Sequence, residues 1–573
     1  MNSIQPTTGA GAALPNISSA YIPGAEWLRA AVLMLLASTV LFVNIGGWEL
    51  WTPDEPRYAQ VAREMVNTGN YLVPRLGAEP YSNKPPLFFW LITLSSRHYG
   101  GVSAAAARLP SAVAALGVLL LTYLLGRKLF DPLTGFFAGL ILFTGFEFFW
   151  LATRAHLDMT LTFWITLSQF LFYCGYTSEK NRSRLYLLSF CSAGLSILTK
   201  GPVGLIIVLI TIALFLSIKL EFNKFKELQL GKGLLIAVGV VALWLIPACI
   251  MGGSEYTRNI LLKENLGIIK NSFSHRAPFY FYLIHFPKDF LPWTLFIPGA
   301  VIYFWQQKRK GEPFNILFPL VWFLGGFIFL SCISSKRNIY LLPLYPATAL
   351  MMAKFWCGAI CAEAAPSQKS LFGLFRYPLY ILFTVLGLCG LFILMCALGR
   401  FSFAGFISGV DFTIYPAALV LCMAGYFGVV LVKRNTPVVL LFYCIILLMS
   451  GSFCFTVLKV LPGKDQGKAT RESFAKVEQI VGLEQPLIYF RIDQSLFYFL
   501  KREPSPEIKD FDKLAERLAT PGPVYCLMQE KTYQETPEAL QRLVTVRGEG
   551  NYGHDKYVLL LKPAAATPPP NSK

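Results

Sequence analysis

The feature that most constrains this chain is a series of apolar runs, each long enough to cross a lipid bilayer. A transmembrane helix needs about 20 mostly apolar residues to span a hydrocarbon core of roughly 30 Å. Thirteen such runs are present, near residues 26–46, 108–126, 132–151, 157–176, 184–199, 201–219, 233–252, 289–306, 313–333, 339–359, 376–398, 411–432 and 436–460. The sequence therefore predicts an α-helical polytopic membrane protein with about thirteen transmembrane helices.

Composition and charge agree with this class. Of the 573 residues, 54% are hydrophobic and 15% are charged, whereas a soluble domain has about 25% charged residues. The net charge is +18, but the Lys and Arg residues lie in short clusters between apolar runs, where the positive-inside rule places them. We therefore expect membrane lipids, and no nucleic acid, as the surroundings of this chain.

The segment Pro85–Tyr99 is apolar but short, and it is flanked by Lys84, Arg97 and His98. If it lies on the membrane surface, six basic clusters between the spans fall on one side, which is then the cytoplasm. If it spans the bilayer, those clusters are inverted. We therefore predict a juxtamembrane helix, a multi-pass protein of the bacterial inner membrane, and a periplasmic region after the thirteenth span.

These assignments divide the chain into four parts. Residues 1–24 form a cytoplasmic tail, and residues 25–461 form the transmembrane domain with two long periplasmic loops, 47–108 and 253–288. Residues 462–562 form a soluble α/β domain, and residues 563–573 form a disordered tail. The predicted elements of the α/β domain are helices near Lys468–Val481 and Phe511–Leu518 and strands Pro486–Arg491, Val524–Met528 and Tyr557–Lys562.

Two acidic side chains stand out at the periplasmic ends of spans. Asp54 and Glu55 follow the first span, and one interpretation is a helix N-terminus in which Asp54 caps and Glu55 favours the dipole. Asp158 lies at another span end, where an ionisable residue is a functional candidate. The nearby His156 is more typical of a hydrogen-bonded interfacial residue than of a metal ligand.

Cations and tyrosines gather on the same predicted face. Snorkelling explains a single Lys or Arg at a span end, but here the cations run against the positive-inside bias. Arg, Lys and Tyr together suit a phosphate held at the membrane surface, while the acids would orient the cations, bind a metal or act as a base. The candidates for phosphate or substrate binding are Arg57, Tyr58, Tyr81, Lys84, Lys200, Lys336, Arg337 and Tyr345.

An ordered set of motifs resembles a known family. The set is Asp54-Glu55, Lys84-Pro-Pro-Leu87, Arg108-Leu-Pro-Ser111, Asp158, Lys200-Gly-Pro202, His275-Arg-Ala-Pro-Phe279 and Ser334-Ser-Lys-Arg337. It resembles the membrane glycosyltransferases of GT-C fold, in the protein O-mannosyltransferase-like branch that includes the lipid A 4-amino-4-deoxy-L-arabinose transferases. The resemblance covers roughly the whole membrane region.

The resemblance implies a polyprenyl-phosphate-dependent glycosyltransferase. In this branch the donor would be an undecaprenyl phosphate-linked sugar, 4-amino-4-deoxy-L-arabinose, and the acceptor a phosphate of lipid A at the periplasmic face. The alternative is the same chemistry on protein or glycan hydroxyls. A transporter is disfavoured because the spans are nearly free of polar residues.

The resemblance also implies roles for individual residues. Asp54, Asp158 and Glu55 would be the catalytic acids, and a divalent metal ion is an option with Asp54, Asp158 and His275 as candidate ligands. No organic cofactor and no oligomer is expected. One departure from the family pattern is Glu264-Asn-Leu-Gly-Ile-Ile269, where an Arg is expected; Arg258, Lys263 and Arg276 are the candidate replacements.

Overall fold

The computed structural model describes residues 25–263, 276–309, 316–363, 371–398, 412–482 and 485–563, and most of them are helical. Helices of the membrane region are α1 (Ala25–Phe42), α2 (Asp54–Thr68), α3 (Leu87–His98), α4 (Ala104–Leu129), α5 (Pro132–Phe143), α6 (Phe146–Ala152), α7 (Leu157–Tyr176), α8 (Arg182–Lys200), α9 (Val203–Ile218), α10 (Asn223–Glu227), α11 (Leu230–Arg258), α12 (Phe281–Asp289), α13 (Ile297–Arg309), α14 (Leu317–Cys332), α15 (Tyr345–Glu363), α16 (Leu371–Ala397), α17 (Ile414–Lys433) and α18 (Val438–Phe455). Short 3₁₀ segments at Trp293–Phe296 and Asn338–Leu344 precede α13 and α15.

Helices lie in all the apolar runs that the sequence predicts as spans. Among the residues that the structure describes, six helices are long and apolar enough to cross a membrane by length and composition, and the bent pair α5–α6 would make a seventh. The pair is bent by 70°, and α9 and α14 are apolar but shorter. The multi-pass class is confirmed, and the count of thirteen stays a prediction.

The first loop, residues 47–108, is a folded structure. It contains α2, a two-stranded hairpin of β1 (Arg75–Leu76) and β2 (Glu79–Pro80), and α3. Helix α3 is about 18 Å long at 1.5 Å per residue, well short of a bilayer core. Its Phe88, Phe89 and Ile92 are fully buried against neighbouring elements. Both observations agree with the predicted juxtamembrane helix.

The terminal domain, residues 462–563, is an α/β unit. Its helices are α19 (Leu461–Gly463), α20 (Gln466–Val481), α21 (Phe511–Leu518), α22 (Glu530–Gln534) and α23 (Glu538–Gln541), and its strands are β3 (Leu487–Phe490), β4 (Val524–Gln529), β5 (Thr545–Tyr552) and β6 (Asp555–Lys562). The sheet order is β3-β4-β6-β5, with β3 parallel to β4 and the other pairs antiparallel. All the predicted elements are present.

Strand β5 is the strand of this sheet that the sequence does not predict. Its sequence, TVRGEGNY, is polar and contains two glycines. It pairs with β6 on one side and lies at an edge of the sheet, and most of its residues are exposed or only partly buried. An edge strand of this kind carries no apolar alternation from which a strand could be recognised.

The terminal domain packs directly on the first loop. One apolar cluster contains Tyr58 and Phe89 of the loop together with Phe474 and Tyr552 of the domain. The guanidinium of Arg471 donates to both carboxylate oxygens of Glu49 at 2.9 and 3.1 Å. The terminal domain is therefore in direct contact with the loop that carries the predicted acids.

Gly467, in the first turn of α20, marks the closest approach of the domain to the loop. A Cβ at this position would lie 2.4 Å from the carbonyl oxygen of Leu50 and 2.6 Å from Cβ of Glu49. Main-chain atoms cannot move aside as a flexible side chain can. Only glycine therefore allows this approach.

We expect Gly467→Ala to destabilise the protein by about 1–3 kcal/mol through overpacking, although alanine is the better helix former. The measurement is the unfolding temperature in detergent. Gly451→Ala is the control, because a Cβ at Gly451 would meet no atom within 4 Å. Equal unfolding temperatures for the two variants would contradict the tight docking of the terminal domain.

Candidate active site

A buried ion pair fixes the start of α2. All five N–H donors of Arg108 are engaged: two reach Glu55 at 2.9 and 3.1 Å, and three reach the carbonyls of Ile45, Trp48 and Glu49. Arg108 is 0% exposed and Glu55 is 2% exposed. The pair therefore ties the residues after α1 to α2 and to α4.

Glu55 is saturated by further donors. Its carboxylate accepts hydrogen bonds from the main-chain N–H groups of Trp51 at 2.9 Å and Ala155 at 2.8 Å. Nη1 of Arg154 lies 3.4 Å from Oε2 of Glu55. Burial alone would raise the pKa of Glu55, but Arg108 and Arg154 outweigh it and lower the pKa to about 2. The side chain is held as a structural anion.

The neighbouring Asp54 faces a different set of partners. Nη2 of Arg337 donates to its Oδ2 at 2.8 Å, Nη1 of Arg57 lies 3.5 Å from Oδ1, and Nε2 of His156 lies 3.5 Å from Oδ2. Pro53, not Asp54, occupies the N-cap position of α2. The capping interpretation of Asp54 is therefore wrong, and its carboxylate is directed to side chains from other elements.

Asp158, which is 1% exposed, lies on the other side of His156. Nδ1 of His156 lies 3.0 Å from Oδ2 of Asp158, and the ammonium of Lys200 donates to Oδ1. The same ammonium lies 3.9 Å from the ring centroid of Tyr340. His156 thus stands between the two acids that the sequence singles out.

Helix ends place these side chains. His156 is the N-cap residue of α7, and Asp158 occupies its first turn, where the helix dipole favours a carboxylate. Lys200 is the last residue of α8. Gly201 follows with a φ of +91°, a conformation that favours glycine. The chain turns there and leaves Lys200 at the helix end, next to Asp158.

These contacts define the outer cluster: Asp54, Arg57, His156, Asp158, Lys200 and Arg337. Two carboxylates face the side chains of Arg57, Lys200 and Arg337, before His156 is counted, and Arg57 also pairs with Asp493 of the terminal domain. The side chain of Arg337 is 32% exposed and that of Arg57 is 29% exposed, so both can meet a ligand. Partly exposed guanidinium groups are suited to an anionic ligand such as a phosphate.

The pKa directions follow from the same contacts. Burial would raise the pKa of Asp54, but His156 and Arg337 outweigh it and hold the pKa well below the usual range. Burial would lower the pKa of His156, but the flanking Asp158 and Asp54 raise it above 6.5. Asp54 is therefore a carboxylate of low basicity, and the imidazolium form of His156 is favoured.

The remaining predicted residues of the first loop lie beside the cluster. Tyr58 is buried, with its ring centroid 6.1 Å from that of His156. Tyr81 is also buried, and its ring packs edge-on against Phe89. Lys84 is half-buried, and it is close enough to Tyr340 for the two groups to interact electrostatically. Lys84 thus approaches the cluster from the loop side.

Two predicted ligands have other surroundings. The ammonium of Lys336 donates to the main-chain carbonyl of Ala277 at 3.0 Å and to that of Ile333. Tyr345 is fully buried, with ring centroids 6.1 Å from Phe286 and 5.5 Å from Phe290. The structure therefore does not bring the Lys336 ammonium to the two acids.

The structure describes only two of the three predicted metal ligands. Within the described ranges, no group of three or more His, Cys, Asp and Glu side chains is placed to hold a metal ion. Asp54 and Asp158 instead face side-chain cations. His275 and residues 264–269 lie outside the described residues.

Arg276 is one of the three candidate replacements for the Arg that is expected from the family pattern. Its side chain is exposed, and its main chain forms an antiparallel bridge with Ser335, two residues before Arg337. The structure thus places the main chain of Arg276 beside the segment that contains Arg337, whose guanidinium donates to Asp54.

Sequence reasoning misses two features of the site. His156 is noted only as an interfacial residue, because the path of α2 that places Asp54 beside it is not local information. Asp493 of the terminal domain, whose Oδ2 lies 3.4 Å from Nη2 of Arg57, carries no local signal, since its motif is an ordinary turn before the 3₁₀ segment Gln494–Tyr498.

Comparison with known proteins finds a family model for part of the chain, which includes every residue of the outer cluster except Arg337. Residues 28–260 match the family model of dolichyl-phosphate-mannose-protein mannosyltransferase. An uncharacterized protein of Aquifex aeolicus is 28% identical over 403 residues, which cover 67% of this chain and 78% of that protein.

Relatives with named activities match over a shorter region. The undecaprenyl phosphate-alpha-4-amino-4-deoxy-L-arabinose arabinosyl transferase 2 of Proteus mirabilis is 30% identical over 321 residues, 55% of this chain and 56% of the transferase. The alignment thus spans little more than half of that relative.

The fold matches over nearly the full chain. The crystal structure of ArnT from Cupriavidus metallidurans bound to undecaprenyl phosphate superposes with a TM-score of 0.75 and 19% identity, covering 95% of this chain and all of that one. The similarity establishes a GT-C fold that includes the terminal domain.

We expect Glu55→Gln to destabilise the protein by about 3–5 kcal/mol, because it leaves the Arg108 guanidinium buried without its anion. The unfolding temperature in detergent is the measurement. Glu538→Gln is the control, since the Glu538 side chain is 84% exposed and exposed pairs contribute little. Similar unfolding temperatures for the two variants would show that the buried pair does not stabilise the loop.

Proposed function

We propose that this chain, which has a GT-C fold, is a membrane glycosyltransferase of the protein O-mannosyltransferase-like branch and that it transfers 4-amino-4-deoxy-L-arabinose from undecaprenyl phosphate to a phosphate of lipid A. The observation that carries the proposal is the outer cluster, in which the partly exposed guanidinium groups of Arg57 and Arg337 lie beside the buried acids Asp54 and Asp158. The names of the Proteus mirabilis transferase and of the ArnT structure support this donor.

The proposed reaction breaks the bond between the anomeric carbon of the sugar and an oxygen of the donor phosphate. The bonding electron pair leaves with undecaprenyl phosphate, and an oxygen of the acceptor phosphate forms the new bond to the anomeric carbon. No proton has to move. The required help is positive charge at the departing phosphate, for which Arg337 and Lys84 are the proposed ligands, with Lys200 holding Asp158.

The low basicity of Asp54 favours an acceptor that is already ionised. A hydroxyl acceptor needs a base whose pKa lies near the working pH, and His156 and Arg337 hold Asp54 far below it. A phosphate acceptor needs positioning instead. We therefore assign Asp54 to orienting Arg57 and Arg337, and Glu55 to positioning α2.

A second candidate function is transfer to protein or glycan hydroxyls. The observation that favours it is the family match itself, whose description is a protein mannosyltransferase. In that case Asp54 would act as the general base, and His156 would hold it in place. The two functions differ in how strongly the rate depends on Asp54.

Both functions use the same topology. We propose that the outer cluster and the terminal domain face the periplasm of a bacterial inner membrane, which is the side on which the thirteen-span interpretation of the basic clusters places them. Undecaprenyl phosphate and lipid A are both lipids, and they would reach the cluster laterally from the bilayer.

The testing experiment measures transfer by the purified full-length protein in detergent, with undecaprenyl phosphate-linked aminoarabinose and lipid A. We expect Lys84→Ala to lose about 100-fold or more in rate, as for the loss of a charge-stabilising donor. Asp54→Asn should lose about tenfold, because it removes an orienting group and not the proton acceptor worth about 100-fold or more. Lys513→Ala, whose side chain is 71% exposed, is the charge-matched control.

A loss of about 100-fold or more in Asp54→Asn would favour the hydroxyl acceptor. Absence of modified lipid A with folded, donor-binding wild-type protein would remove lipid A as the acceptor. Equal rates for Lys84→Ala and Lys513→Ala would remove Lys84 from the donor site.

A pH profile tests the role of His156. Its pKa is raised by Asp158 and Asp54, so the imidazolium is present at low pH and is lost as pH rises through a value above 6.5. We expect kcat/KM of the wild type to fall as pH rises through this pKa, which gives the pH profile an alkaline limb. In His156→Gln we expect kcat/KM to be lower and to stay constant over the same pH range. An unchanged alkaline limb in His156→Gln would assign the titration to another group.

A further inference from the structure

A polar cavity of ≈ 570 Å³ lies between the first loop and the terminal domain. Tyr81 and Asn83 belong to the loop wall, and Gln494 and Gln529 belong to the domain wall. We propose that this cavity binds the sugar headgroup of the acceptor and presents the acceptor to Asp54. The proposal rests on the transfer function above and adds the acceptor subsite and the role of the terminal domain.

The cavity adjoins the outer cluster through a single side chain. Arg57 lines the cavity. Its Nη1 lies 3.5 Å from Oδ1 of Asp54, and its Nη2 lies 3.4 Å from Oδ2 of Asp493. A ligand that fills the cavity therefore reaches the group that faces the proposed reaction centre. The remaining part of that ligand extends toward the terminal domain.

The charges of the lining distinguish this cavity from the outer cluster. The cations Arg57, Arg491 and Lys509 are matched by three carboxylates, Glu79, Asp493 and Glu507. Nζ of Lys509 lies 3.2 Å from both Glu79 and Glu507. Arg57 belongs to both groups; without it the lining has two cations and three carboxylates, so the lining carries no excess of positive charge in either count. Its chemistry therefore suits an uncharged polar group and not a phosphate.

The uncharged lining groups match a carbohydrate. Asn83, Gln494 and Gln529 each bring an amide to the lining, a group that both donates and accepts hydrogen bonds, as a sugar hydroxyl requires; one N–H of Gln529 already donates to the hydroxyl of Tyr557 at 3.1 Å. Tyr81 adds an aromatic edge beside them. The volume lies within the range of about 300–1,000 Å³ that is typical of small-molecule sites, which accommodates one or two sugar rings.

Cross-wall ion pairs hold the two walls together. Lys509 of the domain pairs with Glu79 of the loop at 3.2 Å, and Arg57 of the loop pairs with Asp493 of the domain at 3.4 Å. The site therefore exists only where the domain is docked on the loop. This gives the terminal domain, which carries no catalytic motif of its own, a function in acceptor binding.

The test is a titration of the full-length protein in detergent with a glucosamine disaccharide that lacks both acyl chains and phosphates, followed by calorimetry or saturation-transfer NMR. We expect saturable binding. Asn83→Ala and Gln529→Ala, one on each wall, should weaken it about tenfold, the effect of losing about 1.4 kcal/mol of hydrogen bonding. Arg542→Ala, on an 80% exposed side chain, should leave binding unchanged at the same unfolding temperature.

The assay needs no turnover, so its outcome is separate from that of the transfer reaction. Binding of the disaccharide by a protein that modifies no lipid A would remove the proposed function and leave the cavity assignment standing. No saturable binding to the folded wild type would overturn the assignment. Equal binding by wild type and both cavity variants would overturn it, and so would displacement of the disaccharide by inorganic phosphate.

Discussion

The ion pair of Glu55 and Arg108 is the constraint on which the proposed active site depends. Arg108 donates hydrogen bonds to three main-chain carbonyls that follow α1. Glu55 accepts hydrogen bonds from two main-chain N–H groups, those of Trp51 and Ala155. These bonds fix how α2 leaves the membrane region. The direction of α2 then places Asp54 against Arg337 and His156, which come from distant parts of the chain.

Two adjacent acids thus have different tasks because their partners differ. Glu55 is enclosed by donors and stabilises the loop, whereas Asp54 joins a cluster whose guanidinium groups are partly exposed. A buried structural anion beside one that orients ligand-binding cations is a means of pre-organisation, since the site is held before any ligand arrives. The balanced cavity next to this cluster extends the same surface toward the terminal domain.

The sequence predicts the parts of this arrangement that depend on local pattern. Apolar runs predict the helices, and Asp54, Asp158, Lys200 and Arg337 are predicted as one site because the charge distribution places their span ends on one face. The bridging position of His156 depends on the path of α2 and is not local information. The role of Asp493 and the edge strand β5 also depend on tertiary packing, which leaves no periodic signal in the chain.

The central claim is that the outer cluster receives the phosphate of the lipid donor. The most direct measurement is an experimental structure of the full-length protein with undecaprenyl phosphate bound in a lipid nanodisc. The account predicts phosphate density within hydrogen-bond distance of Arg337 and Lys84, beside Asp54, with the prenyl chain running into the bilayer. Phosphate bound elsewhere, with the outer cluster unchanged and unoccupied, would contradict it.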